Sequence, residues 1–172
     1  MSASATPALF SASKAMPADI APSPMMAMAL RASPLCLAAS AMPSAAEIEV
    51  DSAGTIDHHA GESPDQRARH HAGRRGYDLS TLKARHLAAE DFHRFDLILA
   101  MDRSHLALLG RHCPPEKKSS LRLLMEFARE SSHPEVPDPY YGGDEGFEHV
   151  LNLVEDACSG LLEHVREQLA PA

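Results

Sequence analysis

Apolar positions divide the chain into two regimes. From Glu47 onward, short apolar runs alternate with amphipathic stretches; ahead of it, Ala, Ser, Pro and Met follow no clear period. Glu47-Ile48-Glu49-Val50 alternates and predicts a strand, and the small residues Asp51-Ser52-Ala53-Gly54-Thr55 predict a turn that leaves it. Ser63-Pro64-Asp65 predicts a helix start, with Ser63 as N-cap and Pro64 in the first position. That helix runs to Arg75 and stops at Gly76, and its many Arg and His residues suggest a solvated face. Leu79 to Leu87 reads as mixed loop or short strand, and Asp91-Phe92 with Phe95 as an apolar turn. Asp96-Leu97-Ile98-Leu99-Ala100-Met101 is the continuous run of a strand covered on both faces. Asp102 then caps a helix over about 103–111 that buries Leu106 and Leu109, and Cys113-Pro114-Pro115 breaks it. Leu121 to Met125 predicts another short buried strand. Phe147, Val150, Leu151, Val154, Cys158, Leu161, Leu162, Val165 and Leu169 recur at three- and four-residue steps, which predicts a closing amphipathic helix laid on a sheet. Strand and helix alternate, so the expected fold is α/β around a small parallel sheet.

The chain divides into a low-complexity segment, residues 1–46, and a globular domain, residues 47–172. The first has Lys14, Asp19 and Arg31 as its only charges, contains no Gly, and carries one aromatic, Phe10. Met25 to Ala32 predicts a short apolar helix that Pro34 ends, and Ala8-Leu9-Phe10 is its best strand fragment. Three origins stay open for it: a transit segment, a disordered tail, or a displaced reading frame of a GC-rich gene. A poorly ordered N-terminal segment on a well-formed body is the expectation.

At 172 residues the chain suits one domain with a sizeable core. A net charge of -8 argues against nucleic acid or a membrane surface as the main partner, although a local cationic site can still take a phosphorylated substrate. Three scattered cysteines, Cys36, Cys113 and Cys158, make neither a disulfide framework nor a zinc site, and point to a reducing, cytoplasmic setting. Eleven histidines include the adjacent pairs His58-His59 and His70-His71, but no His-Glu-x-x-His spacing; no metal and no cofactor is expected. No apolar run reaches the length of a transmembrane helix.

The stretch Glu135-Val136-Pro137-Asp138-Pro139-Tyr140-Tyr141-Gly142-Gly143 concentrates chemistry in one loop. Pro139 biases Asp138 away from helical backbone, so the carboxylate sits on a stiff, extended segment. Tyr140 and Tyr141 suit the walls of a flat pocket, and the glycine pair lets the chain turn into the last helix. Local chemistry leaves two readings open: a turn with aromatic packing, or a rigidly held acid.

Glu49-Val50-Asp51-Ser52-Ala53-Gly54-Thr55, Glu90-Asp91-Phe92, Phe95 to Asp102, and Asp138-Pro139-Tyr140-Tyr141-Gly142 stand in an order and spacing that resembles the low-molecular-weight protein tyrosine phosphatases over about 47–165. The resemblance implies a three-layer sandwich around a small parallel sheet. It implies two-step phosphoryl transfer through a cysteinyl-phosphate, with Asp138 as general acid toward the phenolic oxygen and then as base toward water. It implies that Tyr140 and Tyr141 flank the substrate ring, and that Ser52 supports the phosphate-binding loop; a simple turn serine is the plainer reading of Ser52. Asp102 reads as an N-cap, and His105 stands where the family usually has Asn. The implied partner is a phosphotyrosine protein or a small aryl phosphate; the oligomeric state is left open.

The family's engine is a loop of Cys, five residues, Arg, then Ser or Thr. Its backbone N–H groups cradle the phosphate, its field favours the thiolate, and its arginine grips two oxygens. That loop belongs ahead of Asp51. Cys36 is followed by Leu37 to Met42 with no Arg, and Arg31 precedes it in the wrong order. In Asp19-Ile20-Ala21-Pro22-Ser23-Pro24, Ala21 and Pro22 take the places of nucleophile and arginine. Cys113 and Cys158 read as structural. The segment ahead of Asp51 is about as long as the family's own strand, loop and helix, so it replaces that region rather than extending it. A displaced frame or rearranged start accounts for this best, and a true pseudophosphatase comes second. The expected first strand and phosphate loop are therefore degenerate or absent. The expected function is a phosphatase-family member without turnover, or a non-catalytic binding module. An arsenate reductase on the same scaffold needs the same loop and fails with it.

Overall fold

The structure, a computed structural model, describes residues 26–32, 48–55, 59–141 and 143–169. Its elements are β1 (Met26–Ala32), β2 (Ile48–Gly54), α1 (Gln66–Arg74), α2 (Asp91–Arg94), β3 (Leu97–Ala100), α3 (Arg103–His112), β4 (Leu121–Leu123) and α4 (Gly143–Leu169), with 3-10 turns at Pro115–Ser120, Leu124–Phe127 and Pro139–Tyr141. The four strands form one sheet in the order β2-β1-β3-β4, and helices cover both faces, which gives the expected α/β sandwich.

Pairing of β3 with β4 is parallel, whereas β1 is antiparallel to both β2 and β3. Hence β2, β3 and β4 point the same way and β1 alone runs against them. The helix expected over Met25–Ala32 is a strand instead. Seven residues are too few for a stable isolated helix, and a slot between two strands pairs their backbone groups on both sides. Ala8-Leu9-Phe10 lies outside the described residues.

The turn expected at Asp51–Thr55 begins later: β2 continues through Asp51, Ser52 and Ala53 to Gly54, each paired across to β1. Gly54 also donates to the Arg85 carbonyl and accepts from Leu87, so the segment after α1 docks where β2 ends. The strand expected at Leu121–Met125 stops at Leu123 and winds into a 3-10 turn, because Glu126 caps the Leu123 N–H at 2.9 Å. Asp102 is the N-cap of α3, as expected, and accepts from the His105 N–H at 2.7 Å.

Side chains of β3 alternate between two cores. Leu99 joins Met101, Leu124, Met125, Phe127 and Val136 under the α4 face of Val150, Leu153, Val154, Ala157 and Leu161. Ile98 and Ala100 face the other way, onto Phe92, Phe95, Leu109, Cys113 and Leu123. The period-based prediction of α4 found its face, with Leu153 and Ala157 as further buried members. In α3 the buried pair is His105 and Leu109, while Leu106 is only partly covered.

Candidate active-site edge

Ligands of open α/β sheets bind beyond the carboxyl ends of the strands. Here that edge is built from Gly54, from Met101-Asp102 and the start of α3, and from the Asp138 loop. The loop is tied on by its backbone: the Val136 N–H donates to the Met101 carbonyl at 2.9 Å, one residue past β3. Arg103 adds an ion pair to Glu135 at 3.3 Å. Pro139 is buried and packs its backbone and ring 3.6–3.8 Å from the position a Cβ on Gly146 would take, which seats the loop on the first turns of α4.

Asp138 is half-buried. Its Oδ1 accepts from the Tyr140 N–H at 2.9 Å, while its Oδ2 is buried with no hydrogen-bond partner among the described residues. A carboxylate held by one oxygen with the other idle is restrained and has a lone-pair face left to use. His105 supplies the other buried polar atom of this kind among the described residues. Its Nδ1 lies 2.8 Å from Asp102 Oδ2 but is not aligned as a hydrogen bond. Burial pushes the Asp102 carboxyl up, but donors from His105 and Ser104 outweigh it and hold the group below its ordinary value. Asp138 and His105 belong to segments joined by the Met101–Val136 bond.

The structure brings Asp138 and Tyr140 together through that short Asp-Pro-Tyr turn. Tyr141 completes the 3-10 turn, and its side chain lies outside the described residues. Ser52 is elsewhere: it lies in β2 opposite Met28 and, among the described residues, no hydrogen bond joins it to the acid loop; its own N–H donates to Asp51 Oδ1 at 2.7 Å. Cys36 is not among the described residues. Cys113 and Cys158 are free thiols, and burial pushes both up, Cys158 to about 11.

Sequence reasoning missed two clusters. The first is the start of α1. Asp65, not Ser63, is the N-cap and accepts from the Arg67 N–H at 2.7 Å; Ser63 instead accepts from Lys83. Asp-x-Arg directly after a proline was the available signal, since Asp is as good a cap as Ser. The solvated face expected for this helix also carries inward residues: His71 is buried between α1 and α4, with Nδ1 2.7 Å from Glu148, and Arg75 reaches Glu148, Asn152 and Glu155. The second cluster joins Arg85 to Asp51 at 3.0 Å and to the buried Asp91 at 2.7 Å. No periodicity marks it, because its members come from three separate segments.

Among the described residues, no three of His, Cys, Asp and Glu converge as a metal site would need. The family model for low molecular weight phosphotyrosine protein phosphatase matches residues 36–170. The low molecular weight protein-tyrosine-phosphatase of Streptomyces coelicolor is 43% identical over 125 residues, 71% of this chain and 76% of that one. The human low molecular weight phosphotyrosine protein phosphatase is 37% identical over 116 residues, 66% of this chain and 72% of its own. A protein tyrosine phosphatase from Entamoeba histolytica, solved with Hepes in the active site, superposes with a TM-score of 0.65 at 37% identity, covering 67% of this chain and 74% of that one. The chain belongs to the low molecular weight protein tyrosine phosphatase family.

Proposed function

We propose that this chain keeps the recognition and proton-handling half of phosphotyrosine chemistry and lacks the half that captures the phosphoryl group. One observation carries the reading. Six places after Cys36, Cys113 and Cys158 stand Met42, Ser119 and His164, so no Cys-x5-Arg loop exists in the sequence. Without it there is no thiolate in a ring of amides and no guanidinium to hold transition-state charge. Asp138 alone offers a proton to a leaving phenol with nothing to attack the phosphorus.

Strand polarity supports the same reading. Ala32, the last residue of β1, pairs with Ile48 at the start of β2, and Met26 pairs with Gly54 at its end. The carboxyl end of β1 therefore lies at the sheet edge opposite the one that carries Met101 and the Asp138 loop. The raised thiols of Cys113 and Cys158 add nothing nucleophilic. The setting is cytoplasmic in this reading, in keeping with two free thiols and with no helix among the described residues long and apolar enough to cross a membrane.

The test is hydrolysis of p-nitrophenyl phosphate by the intact chain. The expected rate equals that of buffer. Turnover that persists in Cys36→Ser overturns the chemistry argued above. The second reading, a binding module without turnover, is favoured by the intact turn that holds Asp138 and Tyr140 together. It expects a phosphotyrosine peptide to bind without being hydrolysed, and the double variant Tyr140→Ala, Tyr141→Ala to abolish binding.

A further inference from the structure

We propose that Arg67 is the positioning residue of the acid loop, gripping Tyr140 so that the amide of Tyr140 holds Asp138. The inference rests on the reading of Asp138 and Tyr140 as acid and substrate-facing ring.

Arg67 sits in the first turn of α1, far along the chain from the loop. Its Nη1 donates to the Tyr140 carbonyl at 3.2 Å, and its Cζ lies 5.0 Å from the centre of the Tyr140 ring and 5.0 Å from that of Phe147. Asp65 fixes the guanidinium from behind: Nε reaches Oδ1 at 3.2 Å and Nη2 reaches Oδ2 at 3.1 Å. The same Oδ1 caps the Arg67 N–H at 2.7 Å, so the helix start and the fork are locked by one carboxylate. Asp65 raises the Arg67 guanidinium above its ordinary value against the effect of burial, with smaller contributions from Tyr140 and Asp138, and the cation is permanent.

The chain of contacts runs in one direction. Asp65 orients Arg67, Arg67 holds the carbonyl and ring of Tyr140, and the N–H of Tyr140 holds Asp138 Oδ1 at 2.9 Å. A planar fork is needed to satisfy a carboxylate, a carbonyl and two ring faces together; an ammonium cannot do so. A plainer role exists, in which Arg67 only ties α1 to α4 through Phe147. The two roles differ in what their loss does to Tyr140.

Amide hydrogen exchange separates them in Arg67→Met and Arg67→Lys, with urea unfolding of each as control. The Val136 amide, bonded to Met101 in the same loop but not touched by Arg67, is the internal reference. In both variants the Tyr140 amide is expected to exchange about tenfold faster, while Val136 stays within about twofold and the urea midpoint moves little. Three results overturn the proposal: unchanged exchange at Tyr140 in Arg67→Met; equal acceleration at Tyr140 and Val136, which marks general loosening; or full protection in Arg67→Lys, which makes charge sufficient. No ligand enters this test. Selective exchange in a chain that binds no phosphotyrosine peptide keeps the role of Arg67 and removes the functional reading; the converse result does the opposite.

Discussion

Among the described glycines, Gly160 alone leaves no room for a Cβ. A Cβ built there overlaps the Phe127 carbonyl oxygen and stands 3.2 Å from the Phe127 carbonyl carbon and 3.0 Å from Arg129 Cγ. The Arg129 side chain can swing away; the Phe127 backbone cannot, because Leu124, Met125 and Phe127 are all buried in the core that α4 covers. Relief requires the helix and the 3-10 turn to part by roughly 1 Å, which loosens contacts along the whole face from Val150 to Leu161. Overpacking of this kind costs about 1–3 kcal/mol. Against it, Gly→Ala inside a helix contributes about 0.5–1 kcal/mol. The steric cost wins, and Gly160→Ala is expected to lose about 1–2 kcal/mol, a Tm lower by about 2–8 °C for a chain of this size. Gly110 in α3 is the matched control, since a Cβ there meets nothing within 4 Å. Gly110→Ala is expected to keep or raise the Tm, by about 1–3 °C. Thermal unfolding followed by circular dichroism reads both. Equal stability of Gly160→Ala and the parent, or equal losses in both variants, refutes the packing argument.

Arg85→Met leaves Asp91 buried without its cation, and urea unfolding is expected to show a loss of about 2–4 kcal/mol; a loss below about 1 kcal/mol would mean Asp91 is served well enough by the Ala88 N–H alone. Hydrogen bonds from His71 and then Arg75 lower Glu148 from 4.5 to about 2, so its ionised form stabilises the fold above pH 4.5 and that contribution fades as pH falls through about 2. The stability gap between the parent and Glu148→Gln should therefore be open at pH 6 and closed near pH 2, and a pH-independent gap contradicts the assignment. Burial first, then the Glu155 charge, pushes the Cys158 thiol up to about 11. Its alkylation by iodoacetamide at pH 8 is expected to be about a hundredfold slower than that of an ordinary thiol until urea exposes it, and fast labelling of the folded protein counts against burial.

Where a single element carries its own signal, the sequence was readable. The Asp102 cap, the run at Leu97–Ala100 and the stripe of α4 each follow from local rules, and each is found within a residue or two. The chain around Asp138 was readable as a turn into the last helix, and a 3-10 turn at Pro139–Tyr141 leads into α4. What escaped depends on partners distant in sequence. Arg67 touches Tyr140 across 73 positions, and Arg75 touches Glu148 across the same separation, so no window shows either. His71 carries a polar side chain in a run of Arg and His, yet it is buried because Glu148 answers one ring nitrogen and Phe147 stacks on its face. Met26–Ala32 reads as helix by propensity, and the two open strand edges on either side override that preference.

The direction of β1 decides which edge of the sheet its following residues can serve, and it is open to direct test. In the antiparallel register Ala32 faces Ile48 and Met26 faces Gly54; across β3, Leu30 faces Leu97 and Ala27 faces Ala100. A parallel β1 would exchange its two ends and send the chain out beside Met101, toward the idle oxygen of Asp138. Cysteine pairs distinguish the two in a Cys36→Ser background, where the remaining thiols are Cys113, buried, and Cys158, half-buried. Ala32→Cys with Ile48→Cys is expected to cross-link under mild oxidation, and Met26→Cys with Ile48→Cys is not, because bridged Cα atoms must lie within about 7 Å and a seven-residue strand is about 20 Å long. Cross-linking of the second pair in preference to the first would turn the strand around. It would put the chain toward residue 36 on the acid's side of the sheet, and remove the polarity argument for a chain without turnover.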